Sequence, residues 1–431
     1  MVAFVHHERN ADHSWLTRLV PGNVVIENRE IPRARLLAFW AILGVLLAGA
    51  AVELVVVLEF GFSHVATRPV DYLVNHPRLH HTWRPNGQQQ HKEWIEENPS
   101  YPEPYTHHYN TQGWLESYDV VPQKPGGTYR IFYVGDSFTE GTVPMSQSVP
   151  SLVETYLSSL ELPEPLRFEV INTGTSSYSP ILYYILVRYY LIHFAPDLIV
   201  VNVDMTDVFD DAKYSATLTL DERSDPWGVA PSDAWGAQLL DIGAGVVEPS
   251  RSDRIRRYLH EKSYTYNFLL ERIRHSAADP LQATTAARER DVRSRRWGWV
   301  EMEWDERTEE DVGSTLRTLG ALADFCKNHD IKLLLTGVPH FRQFPKDASG
   351  KTEWSLRPHR EIERVAREHG VQYLDSQAFL APQIAGSERT AFYYRRDMHF
   401  NPRGYGAWAR AHMEALGDPA RGLLPEEAYL P

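Results

Sequence analysis

The stretch IFYVGDSFTEG, Ile131 to Gly141, runs four apolar residues into a polar turn carrying Gly135, Asp136 and Ser137. A near-continuous apolar run is what a strand buried on both faces requires, and such strands belong to parallel sheets covered by helices. The same signal recurs at Phe168 to Asn172, Asp197 to Val203, Ile331 to Thr336 and Val371 to Leu374. Helical patterns follow at Gln147 to Leu160, Ile181 to Phe194, Glu310 to His329, His359 to His369 and Pro402 to Leu416. Strands alternating with helices predict an α/β domain built on a parallel five-stranded sheet, spanning residues 129–431. Ligands of such sheets sit beyond the carboxyl ends of the strands, which places Ser137 on the functional edge.

Between the third strand and the next long helix, Val208 to Arg307 is too long for a plain loop and reads as an insertion that partly roofs this edge. Ile255, Tyr258, Leu259, Tyr266, Leu269 and Ile273 fall at helical spacing within it. Its Trp297, Trp299 and Trp304 suit either packing onto the main domain or stacking on sugar rings.

The chain has 431 residues, with 44 basic against 57 acidic side chains and a net charge of -13. That balance, without a Lys/Arg run, argues against a nucleic-acid partner, whose grip would rest on neutralised phosphates. Cys326 is the single cysteine, so a disulfide framework and CxxC metal or redox sites are excluded. Its neighbours read as an amphipathic helix, where such a thiol is a small core residue.

LLAFWAILGVLLAGAAVELVVVL, Leu36 to Leu58, holds Glu53 as its only charge and is long enough for one transmembrane helix. Arg29, Arg33 and Arg35 crowd its amino side, while Arg68 and Arg78 are the first basic residues beyond it. The positive-inside bias then predicts a cytoplasmic arm at 1–35, a single span at 36–58 in a bacterial inner membrane, and a periplasmic remainder. Glu53 is expected either to snorkel to the interface or, with Gly44, Ala48 and Gly49, to face the helix of an integral membrane partner.

Residues 59–128 are rich in His, Pro, Asn and Gln and read as an irregular, solvated segment wrapping the domain. His76, His80, His81, His91, His107 and His108 form no HExxH-like motif and no Cys joins them, so no metal or organic cofactor is expected.

A serine hydroxyl becomes a useful nucleophile only when a base takes its proton, commonly an imidazole oriented by a carboxylate. RRDMHFNPRGYGAWA supplies that pair, with Asp397 and His399 two residues apart just before Asn401 and Pro402, an N-cap and first-turn signal for a helix. Together GDSFTEG, INTGTSSYSP around Gly174, VNVDMTDVFDD and DMHFNPRGYGAWA make the chain resemble an SGNH, or GDSL-type, hydrolase. It is most similar to the membrane-anchored bacterial branch related to polysaccharide O-acetylation proteins, over residues 107–416.

The resemblance implies a flavodoxin-like three-layer α/β/α sandwich and acyl transfer. Ser137 would be the nucleophile, His399 the base and Asp397 its partner, with Asp136 and Asp207 beside them. The oxyanion would meet the amides of Ser137 and Gly174 and a side chain of the third block, each such donor being worth about 2.7–4 kcal/mol. There the family's usual Gly-Asn-Asp is Met205-Thr206-Asp207, so Thr206 stands where an Asn amide is customary. The spacing of Asp397 and His399 is also one residue shorter than in much of the family.

The expected function is therefore a membrane-anchored, extracytoplasmic ester hydrolase or O-acetyltransferase acting on an acylated glycan or small ester. Water and a sugar hydroxyl both remain open as the second substrate. The alternative is a catalytically weak SGNH-like domain serving as an accessory subunit of a membrane complex.

Overall fold

In the computed structural model the first sheet strand, β1 (Thr128–Val134), is buried along its whole length. The structure describes residues 24–26, 29–31, 33–65, 73–91, 105–162, 166–231, 265–266, 296–347, 349–395 and 397–429. The chain divides into two units, one of residues 1–68 with 255–277 and the other of 69–254 with 278–431.

In the larger unit β1 pairs with β2 (Arg167–Asn172) and β3 (Leu198–Val203); β4 (Lys332–Gly337) and β5 (Gln372–Leu374) follow, all parallel. Their spatial order is β5-β4-β3-β1-β2, the doubly wound flavodoxin-like arrangement. Alternation along β1 sorts its side chains. Phe132 and Val134 face one apolar layer with α4 (Pro180–Tyr189), α6 (Glu306–Asn328) and α7 (Arg357–His369). Tyr129, Ile131 and Tyr133 face another with α3 (Val149–Ser158), α8 (Ser376–Ile384) and α9 (Pro402–Gly417). The three-layer sandwich follows from this alternation. Cys326 lies buried in α6, where burial pushes its thiol up to about 12.

One ion pair is embedded in the sheet. Arg130 of β1, fully buried, sits opposite Glu169 of β2, and its Nε donates to Glu169 Oε2 at 2.8 Å. Its Nη1 donates to the carbonyls of Phe194 (2.6 Å) and Val121 (3.0 Å). Removing one member of such a pair leaves a buried charge and typically costs about 3–5 kcal/mol. Glu169 keeps a second, exposed partner in Arg167 at 3.5 Å, so Arg130→Met is expected near the lower end, about 3 kcal/mol. Denaturant midpoints check this, and the double variant Arg130→Met/Glu169→Leu should recover most of the loss.

Over its described residues, the segment expected to be irregular is corrected. It forms two antiparallel hairpins, Leu73–His76 with His80–Trp83 and Gln88–His91 with Tyr105–His108. Nor is it solvated: His76, His80, His81, His91 and His107 are buried, and His108 alone of the six is exposed. The reason is pairing and packing. Leu115 N–H donates to Asn172 O at 3.1 Å, and Tyr178 OH to His81 O at 2.6 Å, which ties the segment onto the sheet domain.

Of the insertion, α5 (Asp207–Tyr214) and a short hairpin, Leu218–Leu220 with Pro226–Val229, are described. The helix expected around 255–273 lies outside the described residues except Thr265 and Tyr266, which are helical. Trp299 is buried in the core, and Arg357 lies over the ring of Trp304.

In the smaller unit α1 (Arg33–Val65) contains, among the described residues, the one helix segment long and apolar enough to span a membrane or to be a signal sequence, Arg33–Val55. A side chain at Gly44 or Gly49 would meet open space. Glu53 Oε2 accepts the backbone N–H of Thr265 at 3.0 Å.

Candidate active site

The carboxyl edge of the sheet gathers the motif residues. Gly135 turns the chain out of β1; a Cβ there would stand 2.0 Å from Thr139 Oγ1 and 3.1 Å from Asn202 O, so the tight exit requires glycine. Asp136 caps the short helix α2 (Ser137–Glu140) by accepting the Phe138 N–H at 2.9 Å. Ser137 thereby opens α2 with its hydroxyl toward the cleft. Across from it, Asn401 caps α9 by accepting the Gly404 N–H at 3.1 Å, with Pro402 in the first turn, and the loop before it carries Asp397 and His399.

Ser137 Oγ lies 2.8 Å from His399 Nε2, and His399 Nδ1 is hydrogen-bonded to Asp397 Oδ1. A carboxylate only accepts, so Nδ1 carries the proton and Nε2 presents its lone pair to the serine O–H. Asp397 Oδ1 also accepts the main-chain N–H of His399 at 2.9 Å, which fixes the short Asp-x-His turn. Burial by itself would raise the Asp397 carboxyl, but the hydrogen bonds and charge of His399 outweigh it and hold it below the usual range. The Phe138 ring packs on the imidazole with centroids 4.4 Å apart.

A second histidine–carboxylate pair lies on the same edge and is absent from the sequence reading. His340, after β4, places Nε2 at 2.7 Å from Asp204 Oδ1, after β3. Asp204 Oδ2 accepts the Thr206 hydroxyl at 2.5 Å and the Thr206 N–H at 2.9 Å. Asp207 Oδ2 in turn accepts the Asp204 N–H and the Tyr183 hydroxyl, both at 3.0 Å. Burial opposes the charge on Asp204, yet His340 and Thr206 hold its carboxyl down to about 2. Burial, then the negative Asp204, push Asp136 the other way, and Asp207 rises through burial and through both neighbours.

Three residues named for the oxyanion thus have different surroundings. Ser137 N–H is one of the first-turn amides that a helix leaves without an internal acceptor. Gly174 N–H donates to Asn172 Oδ1 at 3.0 Å, and a Cβ on Gly174 would lie 2.2 Å from Glu140 N, so this glycine lets the β2 loop close on α2. Thr206 lines the cleft with its hydroxyl engaged by Asp204. From the β2 loop it is Ser176 and Ser177 that line the cleft. Ser177 takes a left-handed φ of 62°, uncommon for a non-glycine residue and held by Tyr214 OH on its carbonyl at 2.7 Å.

The cleft has a volume of about 740 Å³ and is lined by Ser137, Asp397 and His399 together with Trp297, Trp354 and His340. Trp297, from the insertion, packs against Trp354 with ring centroids 4.7 Å apart.

Asp210, also on the cleft wall, is pushed up to about 7 by burial, against the pull of Lys213 and Arg296. A carboxyl raised on folding holds a proton that the unfolded chain releases, so its contribution is lost as pH rises from about 4 to about 7. Buried His359 and His412, lowered to about 3 by burial, act oppositely, adding stability as pH climbs from about 3 to 6.5. Asp210→Asn removes only the first effect. The variant is therefore expected to gain on wild type between pH 5 and 7, by at most about 1.4 kcal/mol per pH unit, in denaturant titrations. A gap between the two that stays constant with pH would contradict it.

No protein-family model matches the chain, and no curated protein matches it. Solved structures do overlap it. An acetylxylan esterase from Geobacillus stearothermophilus, at 13% identity, covers 67% of this chain and 94% of its own with a TM-score of 0.37. A GDSL-like lipase from Bacteroides thetaiotaomicron, at 12% identity, covers 67% and 87% with a TM-score of 0.31. An α/β hydrolase from the metagenome of Lake Arreo, Spain, at 14% identity, covers 69% and 97% with a TM-score of 0.36. The overlaps are loose, and the fold assignment rests on the parallel five-stranded sheet and its β5-β4-β3-β1-β2 order.

Proposed function

We propose that the protein is a serine acyl-ester hydrolase or O-acyltransferase of the SGNH type. The observation that carries this reading is the continuous chain from Ser137 Oγ to His399 Nε2 at 2.8 Å and on from Nδ1 to Asp397, opening into a cleft. His399 takes the serine proton as Ser137 attacks the ester carbonyl, then delivers it to the departing alcohol, while Asp397 holds the imidazolium. Water or a sugar hydroxyl, deprotonated by the same imidazole, then releases the acyl group from Ser137. The Ser137 amide meets the oxyanion; Gly174 N–H and the Thr206 hydroxyl join it only by exchanging their present acceptors. Trp297 and Trp354 both line the cleft, and an aromatic wall there suits a sugar ring, which favours an acylated glycan as substrate.

On this reading α1 anchors the enzyme in a bacterial inner membrane with its N-terminal arm in the cytoplasm, following the arginines at 29, 33 and 35. The engaged Thr206 hydroxyl favours a second reading, an SGNH-like accessory subunit whose α1 packs on an integral membrane partner through Gly44, Ala48, Gly49 and Glu53. A fluorophosphonate probe separates the two, since it phosphonylates a serine whose proton an adjacent base removes. Labelling at Ser137 supports the enzyme, and a folded chain that stays unlabelled supports the scaffold.

A further inference from the structure

We propose that His91, His107 and Glu140 form a binding site for a divalent transition-metal cation, of the zinc class, at the wall of the cleft. His91 and His107 lie on one face of the hairpin Gln88–His91 with Tyr105–His108, because Gln89 pairs with His107 and His91 with Tyr105. That face meets Glu140, the last residue of α2. Each of the three buried side chains offers one ligand atom within 4.8 Å of the other two.

Proton accounting on His107 points to a cation. Its Nε2 is 2.7 Å from the Val143 carbonyl, which only accepts, so Nε2 carries a proton. Its Nδ1, fully buried, makes no hydrogen bond among the described residues and faces Glu140 Oε1 at 3.6 Å. That separation is too long for a hydrogen bond. It is close to what a shared metal imposes, since two donors about 2.0–2.1 Å from one tetrahedral ion lie roughly 3.3–3.4 Å apart.

The surroundings are those of ligands held for a metal. Metal-bound histidines donate their other ring N–H to a carbonyl or carboxylate, as His107 does to Val143. Ligating carboxylates are themselves hydrogen-bonded, and Tyr109 OH, 2.8 Å from both Glu140 Oε1 and Gln89 Oε1, stands where its one proton can serve the carboxylate. Two imidazoles and a carboxylate suit zinc and its first-row neighbours, and leave a coordination position toward the cleft, which His91 and Glu140 both line. A cation there would tie the hairpin to the helix that begins with Ser137. The residues are spread over positions 91, 107 and 140 without a local motif, which is why His91 and His107 do not read as ligands in the sequence and Glu140 is not joined to them.

The test uses the full chain in detergent, stripped with a chelator and titrated with Zn²⁺ against a competing chelator, and separately with Co²⁺ followed by visible absorption. One equivalent of Zn²⁺ per chain, a Co²⁺ ligand-field spectrum, and loss of both in His107→Gln and in Glu140→Gln are expected, with affinity falling by more than the ~10- to 100-fold that loss of an outer-shell partner costs. Near-UV circular dichroism establishes that the variants are folded, and Glu140→Gln keeps an acceptor for Tyr109. Absence of stoichiometric binding in wild type overturns the proposal, as does binding that both folded variants retain. The readout is metal occupancy, so it stands or falls independently of fluorophosphonate labelling at Ser137.

Discussion

Ser137→Ala is expected to abolish fluorophosphonate labelling and to cut ester turnover by roughly 10⁴- to 10⁶-fold, with the fold intact. The size follows from what one oxygen does. Ser137 Oγ is the atom that His399 Nε2 addresses at 2.8 Å, and without it the imidazole has only water to activate. Residual rate would come from the Ser137 amide and from substrate binding, neither of which the substitution removes. Stability should change by less than about 1 kcal/mol, since the side chain caps nothing and Asp136 holds the start of α2. Turnover by the purified full chain with an activated acetyl ester, compared with denaturation midpoints, checks both halves. Turnover that survives the substitution would locate the nucleophile elsewhere and sink the assignment.

The fold was legible because its signals are local. Each strand expected from an apolar run is found within about two residues, and the helix after Asn401 and Pro402 starts at that cap. What the sequence hides is less periodic. α8 carries Pro382 inside it and shows no polar face to mark it, and α5 begins at Asp207, inside a motif block for which no helix was expected. The hairpins at 73–108 were missed because composition stands in poorly for exposure. His and Gln look solvated, yet backbone pairing and contacts such as His81 Nε2 to Ser176 O at 2.8 Å bury them. In the site, Ser137, Asp397 and His399 announce themselves in short motifs. Asp204 and His340 are 136 positions apart, and only the adjacency of β3 and β4 brings them together. Listing the polar residues just after every strand would have found both.

Two histidine–carboxylate pairs on one edge make the identity of the base a question that a single substitution answers. Asp397→Asn is expected to lower kcat by roughly 10²- to 10⁴-fold with little change in KM. The amide oxygen of Asn can keep the bond from the His399 main-chain N–H, which Asp397 Oδ1 now accepts at 2.9 Å, so the turn persists. That same Oδ1 also accepts from Nδ1, so the amide oxygen keeps the working tautomer, and what Asn removes is the negative charge that holds the imidazolium. The loss is one of charge, and circular dichroism should be unchanged. Asp204→Asn acts on His340, which has no hydrogen bond to Ser137, so it should cost much less in kcat than Asp397→Asn. The reverse ranking would make His340 the base and require the cleft to rearrange when substrate enters. A loss below tenfold in Asp397→Asn would mean that the imidazolium needs no carboxylate to hold it, and the proton route from Ser137 through Asp397 would fall with it.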